Sequence, residues 1–311
     1  MATAYITHPA CSDHDMGDDH PESPQRLAAI NDALIQSGVM DFLQYHTAPS
    51  ATDEQLALAH TIEHINHVKS LVPERGLAAL DPDTYMNSHS LSAARHAAGA
   101  AILGCDLVMA GDVTSAFCAV RPPGHHAEKP KAMGFCIFNN VAVAAHHLLK
   151  RYKLTRIAVL DFDVHHGNGT EDIFKNDTRV LLCSSFQHPL YPHTAVQKDT
   201  GNILHVPLPA GTNSADFRSA IRQHWLPALA HFQPQFILIS AGFDAHKLDP
   251  LANLNLSEGD FGWITDEIKT VAARYANGRI VSTLEGGYDL HALGISVVAH
   301  LRSLASLGNA F

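Results

Sequence analysis

Ile157-Ala158-Val159-Leu160 runs directly into Asp161-Phe162-Asp163-Val164-His165-His166-Gly167-Asn168-Gly169-Thr170. The first four residues are apolar and do not alternate, the pattern of a strand buried on both faces of a parallel sheet. If extended geometry continues past Leu160, the two-residue period sends Asp161, Asp163 and His165 to one face, and Phe162 and Val164 to the other. Two carboxylates and an imidazole then point the same way. Burying such a row uncompensated is costly, so a metal ion, cationic partners or dense hydrogen bonding must accompany it. Gly167-Asn168-Gly169 breaks the strand and leaves the row at its carboxyl end.

Outward from this row the same pattern recurs. Apolar or β-rich runs occupy residues 116–120, 157–160, 180–184, 203–208, 236–240 and 280–284, and helical patterns fill 91–109, 139–151, 214–231, 257–276 and 290–306. This alternation predicts an α/β fold with a mostly parallel sheet and helices on both faces. A short strand at residues 4–7 leads into a turn-rich polar segment, 13–24. Ser23 is expected to cap the following helix with Pro24 at its first position. Leu27, Ile30, Leu34 and Ile35 give that helix an apolar stripe, and Arg26 reads as a solvated side chain. His60, His64 and His67 read as an exposed helix face rather than a metal pair, because no neighbouring carboxylate supports them. Residues 81–89 read as a polar loop.

The chain has 311 residues, 46% of them hydrophobic, and no Pro/Gly/Ser-rich linker divides it, so one domain over residues 1–311 is expected. The net charge of -10 argues against nucleic acid as a partner and suits cationic or neutral substrates. No apolar stretch approaches the length needed to span a bilayer, and the first residues lack the features of a secretory signal. Five cysteines without a CxxC pair fit reduced thiols. Together these predict a cytoplasmic protein with no membrane partner. The sequence leaves open whether it forms a homo-oligomer.

In open parallel sheets, ligands bind outside the carboxyl ends of the strands. Unusual polar residues should then follow the apolar runs, and they do: Arg121-Pro122-Pro123-Gly124-His125-His126, the Asp161 row, Ala241-Gly242-Phe243-Asp244-Ala245-His246 and Glu285-Gly286-Gly287-Tyr288. Asp163, His165 and Asp244 would supply three protein ligands and leave a position open for water, as in catalytic zinc sites. His125 and His126 are candidates for general acid/base work. Asp161 would accept from the Nδ1–H of one and Asn168 from the other, which makes the two imidazoles inequivalent. Tyr288 follows Gly286 and Gly287, whose missing side chains let backbone approach a substrate, and its hydroxyl would donate to a developing oxyanion.

These stretches, with Gly134-Phe135-Cys136-Ile137-Phe138-Asn139-Asn140 and His20-Pro21-Glu22-Ser23-Pro24-Gln25-Arg26, closely resemble the zinc-dependent histone deacetylase and acetylpolyamine amidohydrolase superfamily. The resemblance covers almost the whole chain in family order. It implies the arginase/deacetylase-like α/β fold, with a large sheet of about eight strands, and hydrolysis of an N-acyl amide by zinc-bound water. It assigns one catalytic Zn2+ to Asp163, His165 and Asp244, the general base to His126, its charge-tuning partner to His125 with Asp161, and the carbonyl-polarising hydroxyl to Tyr288. Phe135 resembles one wall of an acyl-lysine tunnel, with Tyr191 opposite where the family often has Phe. Gly134 would offer its carbonyl to substrate, Gly287 would lie against it, and Arg26 would sit under the tunnel floor. Asn168 stands where one branch of the family has Asp, which is similar to the class II-like branch. Leu251 occupies a gatekeeper position where a polyamine-selective relative carries Glu, and this tilts the expected substrate towards acyl-lysine. The family also implies a structural K+ near Asp161, Asp163, His165 and Ser184.

Three other readings compete with a lysine deacylase. An acetylpolyamine or other small acylated amine could be the substrate. A catalytically silent acyl-ligand-binding module would keep the pocket alone. A two-metal, arginase-like hydrolase would need more carboxylates at the row.

Overall fold

The structure is a computed structural model that describes residues 2–194 and 201–307. Strands are β1 (Thr3–Thr7), β2 (Leu43–Thr47), β3 (Ala78–Asp81), β4 (Thr84–Met86), β5 (Ser115–Cys118), β6 (Ile157–Asp161), β7 (Val180–Gln187), β8 (Ile203–Leu208), β9 (Phe236–Ala241) and β10 (Ile280–Leu284). Helices are α1 (Ala10–Asp13), α2 (Gln25–Gln36), α3 (Asp53–Leu56), α4 (Ile62–Ser70), α5 (Ser90–Ala110), α6 (Asn140–Arg151), α7 (Asn168–Phe174), α8 (Ser214–Phe232), α9 (Glu258–Tyr275) and α10 (Leu290–Leu304). Among the described residues, eight strands form one parallel sheet in the order β2-β1-β5-β10-β9-β6-β7-β8, and β3 and β4 make a separate antiparallel hairpin.

The apolar runs explain the centre of this sheet. Every residue of β5, β6, β9 and β10 is buried, as strands covered on both faces require. The alanines of α5 let it lie close over β1, β5 and β10. The four strands whose ends carry unusual polar residues, β5, β10, β9 and β6, are neighbours at the middle of the sheet. Because all run the same way, their carboxyl ends form one rim. Among the described residues, no helix is long and apolar enough to cross a membrane.

Several expectations are corrected. β6 ends at Asp161, so the row beyond it is not a continued pleat. Instead, Asp161 Oδ1 accepts from the Asp163 backbone N–H (3.1 Å) and Asp163 Oδ1 from that of His165 (2.8 Å). These side chain to backbone turns, rather than strand periodicity, gather the row. Helix α7 starts at Asn168, where the glycines read only as a break. Pro24 occupies the N-cap of α2 with no side-chain cap, and Ser23 contributes only its carbonyl, to the Arg26 N–H. Ile35 is 63% exposed, whereas Arg26 is fully buried. His60 precedes α4, and both it and His64 are buried against Phe138, each bonded to a backbone carbonyl. Part of the segment 81–89 belongs to the β3–β4 hairpin, whose strands of four and three residues are too short to show a period. The edge strand β2, Leu-Gln-Tyr-His-Thr, has no buried residue and so carries no apolar run to mark it.

Candidate active site

Asp163 and His165 stand just beyond β6, and Asp244 just beyond β9. Their ligand atoms lie within 4.8 Å of one another, and all three residues are buried. His165 Nδ1 is 3.2 Å from Asp163 Oδ1 and 3.1 Å from Asp244 Oδ2. Backbone donors fix the acids: Gly286 N–H to Asp163 Oδ2 (2.8 Å) and Val164 N–H to Asp244 Oδ1 (2.9 Å). A side chain at Gly242 would collide with the Asp163 carboxylate, and one at Gly286 with those of Asp244 and Asp163, so only glycine fits at either position.

The group fits a divalent cation on two grounds. Ligands about 2.0–2.1 Å from one tetrahedral ion sit about 3.3 Å apart, close to the separations seen here. The charge balance also asks for a cation. Burial and the Asp163 carboxylate push the Asp244 carboxyl up to about 7. Burial would lower the His165 imidazole, but bonds to Asp163 and Asp244 outweigh it and raise it to about 10. Positive charge is drawn to this point, as protons if no metal supplies it.

The loop after β5 places His125 and His126 side by side, with ring centroids 4.0 Å apart. His125 Nδ1 is 2.9 Å from Asp161 Oδ2, and His126 Nδ1 is 2.8 Å from Asn168 Oδ1. Burial opposes charge on both, yet the outcomes diverge. Asp163 and Asp161 hold the His125 imidazole well above its ordinary value, whereas burial with His125 and His165 alongside holds His126 well below. Asn168 Nδ2 donates to Glu128 Oε1 (2.8 Å), which turns the amide oxygen towards His126. Glu285 Oε2 accepts the backbone N–H of Gly124 (2.6 Å) and His125 (3.1 Å) and so anchors the loop.

A cavity of about 210 Å³ opens above this group. Leu190, Tyr191, Phe135 and Leu251 give it apolar walls, His126, His165 and Tyr288 form the polar lining, and Asp83 and Gly134 complete it. The Tyr191 ring packs edge-on to His126 (5.1 Å) and that of Phe135 to Tyr288 (5.9 Å). Asp249 holds two wall residues, accepting from the Tyr288 N–H (2.7 Å) and the Leu251 N–H (3.0 Å). Burial and the Asp244 carboxylate keep the Tyr288 hydroxyl well above its ordinary value, so it stays a donor. Gly287 is buried outside the cavity lining, and its carbonyl accepts from Arg26 Nε (2.7 Å). Ser184 pairs in register with Asp161, and its Oγ lies 3.3 Å from His166 Nδ1.

Behind Tyr288 lies a buried ion network. Arg121 grips both Glu22 oxygens (2.5 and 2.7 Å), and Arg26 reaches Glu22 (3.0 Å) and the Glu285 carbonyl (2.5 Å). The Arg26 guanidinium is 5.0 Å from the Tyr288 ring centroid, beneath the cavity floor.

Sequence reasoning quoted Glu285 at a strand end without giving it a role, and it missed Asp83, Glu128, Leu190 and Asp249. Two carried a signal, since Glu285 directly follows an apolar run and Asp249 precedes the turn at Pro250-Leu251. The other three act through folded geometry that no local pattern encodes.

A model of the histone deacetylase domain matches residues 20–304. The chain is 37% identical over 297 residues to the histone deacetylase-like amidohydrolase of Pseudomonas aeruginosa, covering 92% of this chain and 78% of that one. It is 35% identical over 298 residues to a probable deacetylase of Archaeoglobus fulgidus, covering 93% and 82%. The crystal structure of the HDA15 HD domain matches with a TM-score of 0.92 at 33% identity, over 98% of this chain and 88% of that one.

Proposed function

The chain belongs to the histone deacetylase family, a family of amide hydrolases, and from that premise we propose that it is a zinc-dependent deacylase acting on the acylated ε-amine of lysine. We take residues 1–311 to work as one deacetylase domain. The observation that carries the reading is the convergence, at one apolar-walled cavity, of a three-ligand cation group, an imidazole bonded at Nδ1 and a phenol.

Asp163, His165 and Asp244 are the proposed zinc ligands. A zinc ion held there supplies a Lewis acid that acidifies water to near neutrality and polarises an amide carbonyl. The rest falls to the chain's own side chains. With Nδ1–H donated to Asn168, His126 presents a bare Nε2 that accepts the proton of the attacking water. It then passes that proton to the leaving amine as the C–N bond breaks and the C–O bond completes the carboxylic acid. His125, charged and paired with Asp161, keeps His126 from being protonated too early. Tyr288 donates to the carbonyl oxygen as negative charge grows there, a term worth about 3 kcal/mol at comparable sites. Phe135, Tyr191 and Leu251 enclose the aliphatic chain and exclude water, Gly134 offers its carbonyl to the substrate amide, and Gly287 sets the backbone under Tyr288. A structural potassium is proposed where Ser184 meets Asp161, beside the backbone of Asp163 and His165.

A second reading, deacetylation of a small acylated polyamine, is favoured by the Asp83 carboxylate in the cavity lining, which would attract a second ammonium. Leu251, an apolar wall residue, favours lysine. Turnover of an acetyl-lysine peptide against N-acetylputrescine, with and without chelator, separates the two. Higher kcat/KM on the peptide, abolished by chelator, is expected. Preference for the polyamine reverses the substrate assignment, and no chelator-sensitive hydrolysis at any acyl length leaves an acyl-ligand-binding module.

A further inference from the structure

A second set of ligand side chains gathers outside the cavity. His166, Glu171 and His205 bring two imidazole nitrogens and a carboxylate oxygen within 4.8 Å of one another. Glu171 Oε2 is 2.7 Å from His166 Nε2 and 2.8 Å from His205 Nε2. The three residues come from the loop after β6, from α7 and from β8.

We propose that this trio is a second divalent-cation site, structural in role and suited to zinc. Two imidazoles and one carboxylate make a zinc donor set, borderline in softness and poor for calcium or magnesium. Both histidines aim the same ring atom, Nε2, at the same carboxylate oxygen. The other nitrogen of His166 lies 3.3 Å from Ser184 Oγ, an acceptor that can hold Nδ1–H and leave Nε2 bare for a metal. Phe186 packs against both imidazoles, with ring centroids at 4.6 and 6.1 Å, and keeps the surroundings apolar. The histidine side chains are 7% and 4% exposed and that of Glu171 16%, so Glu171 is the member most open to solvent.

The trio differs from the Asp163 group in one respect. Its nitrogen to oxygen distances are those of hydrogen bonds, about 0.5 Å shorter than two ligands of one tetrahedral ion require. Loading therefore needs the Glu171 carboxylate, the most exposed of the three side chains, to withdraw slightly. An ion there would tie the edge strand β8 to α7 and brace the residue next to His165. The inference does not depend on the proposed deacylase activity.

Metal content decides it. Wild-type protein loaded with zinc and dialysed should hold two equivalents. His205→Asn and Glu171→Gln should each hold one, with activity within a few-fold of wild type, and Asp163→Ala should keep the equivalent that those two lose. Zinc should raise the Tm of Asp163→Ala but not of Asp163→Ala combined with His205→Asn. One equivalent in the wild type, or two in both His205→Asn and Glu171→Gln, overturns the proposal. Should Asp163→Ala still hold two while His205→Asn holds one, the deacylase metal assignment fails and this site stands. Glu171→Gln provides the answer if His205→Asn does not fold.

Discussion

Two buried clusters of charge share the segment 285–287, and they are balanced differently. On one side, Glu22 is enclosed by Arg26 and Arg121, which also hold the carbonyls of Glu285 and Cys11. On the other, the carboxyls of Asp161, Asp163 and Asp244 are all buried, and Gly286 N–H bonds one of them. The first cluster neutralises its acid with the chain's own guanidinium groups. The second has imidazoles alone to set against three carboxyls, and it drives the Asp244 carboxyl up to about 7. An acid enclosed by guanidinium groups needs no further charge and serves as scaffold, whereas a group of acids left short of positive charge is suited to a cation.

The sharpest way to break this contrast is Asp163→Ala. Zinc content at the cavity and hydrolysis should disappear together, the latter by about 10³-fold or more, since several kcal/mol of transition-state stabilisation go at 1.36 kcal/mol per factor of ten. The fold should survive, as judged by circular dichroism, because the Glu22 network is untouched. Hydrolysis without metal would end the distinction between the clusters.

Glu22→Gln tests the other side. Leaving two buried guanidinium groups without their anion should cost about 3–5 kcal/mol in denaturant unfolding at pH 7. The sign with pH follows from the charge. Burial would raise the Glu22 carboxyl, but Arg121, His14 and Arg26 hold it well below 4.5. Its stabilisation is therefore fully present above about pH 4.5 and fades as pH falls through the depressed folded value. The gap between wild type and Glu22→Gln should narrow in acid, by up to about 1.4 kcal/mol per pH unit. A gap independent of pH would show that this acid is not the source.

Tyr288→Phe should retain zinc at the cavity and lower kcat by about 10²–10³-fold. An unchanged rate would remove the hydroxyl from the reaction. The smallest effect is expected from Asn168→Asp. A carboxylate at Nδ1 favours the protonated imidazole, so the His126 value rises and the acid limb of kcat/KM moves to higher pH, by about one unit. An unmoved limb would mean that another group sets it.

Much of the site was legible because each of its strands announces itself locally. The apolar runs ending at Leu160, Ser240 and Leu284 mark strands, and the polar residues after them fall on one rim if the sheet is parallel. His125 with Asp161 and His126 with Asn168 meet as their chemistry invites. From its helix alone Arg26 reads as solvated, because two of its three partners, Glu285 and Gly287, are 259 and 261 residues away; only the family resemblance set it beside the site. His60 and His64 were misread because their burial depends on Phe138, in the segment before α6.

Residue order alone determined the parallel α/β class and the acid and imidazole donors at the strand ends, because hydrophobic periodicity and strand-end chemistry are written between neighbours in the chain. Only the tertiary structure decided that β5, β10, β9 and β6 stand side by side, that Glu22 finds Arg121, and that Glu171 lies between His166 and His205. Whether a buried charge is satisfied depends on groups brought together from distant parts of the chain, and packing alone sets which of them meet.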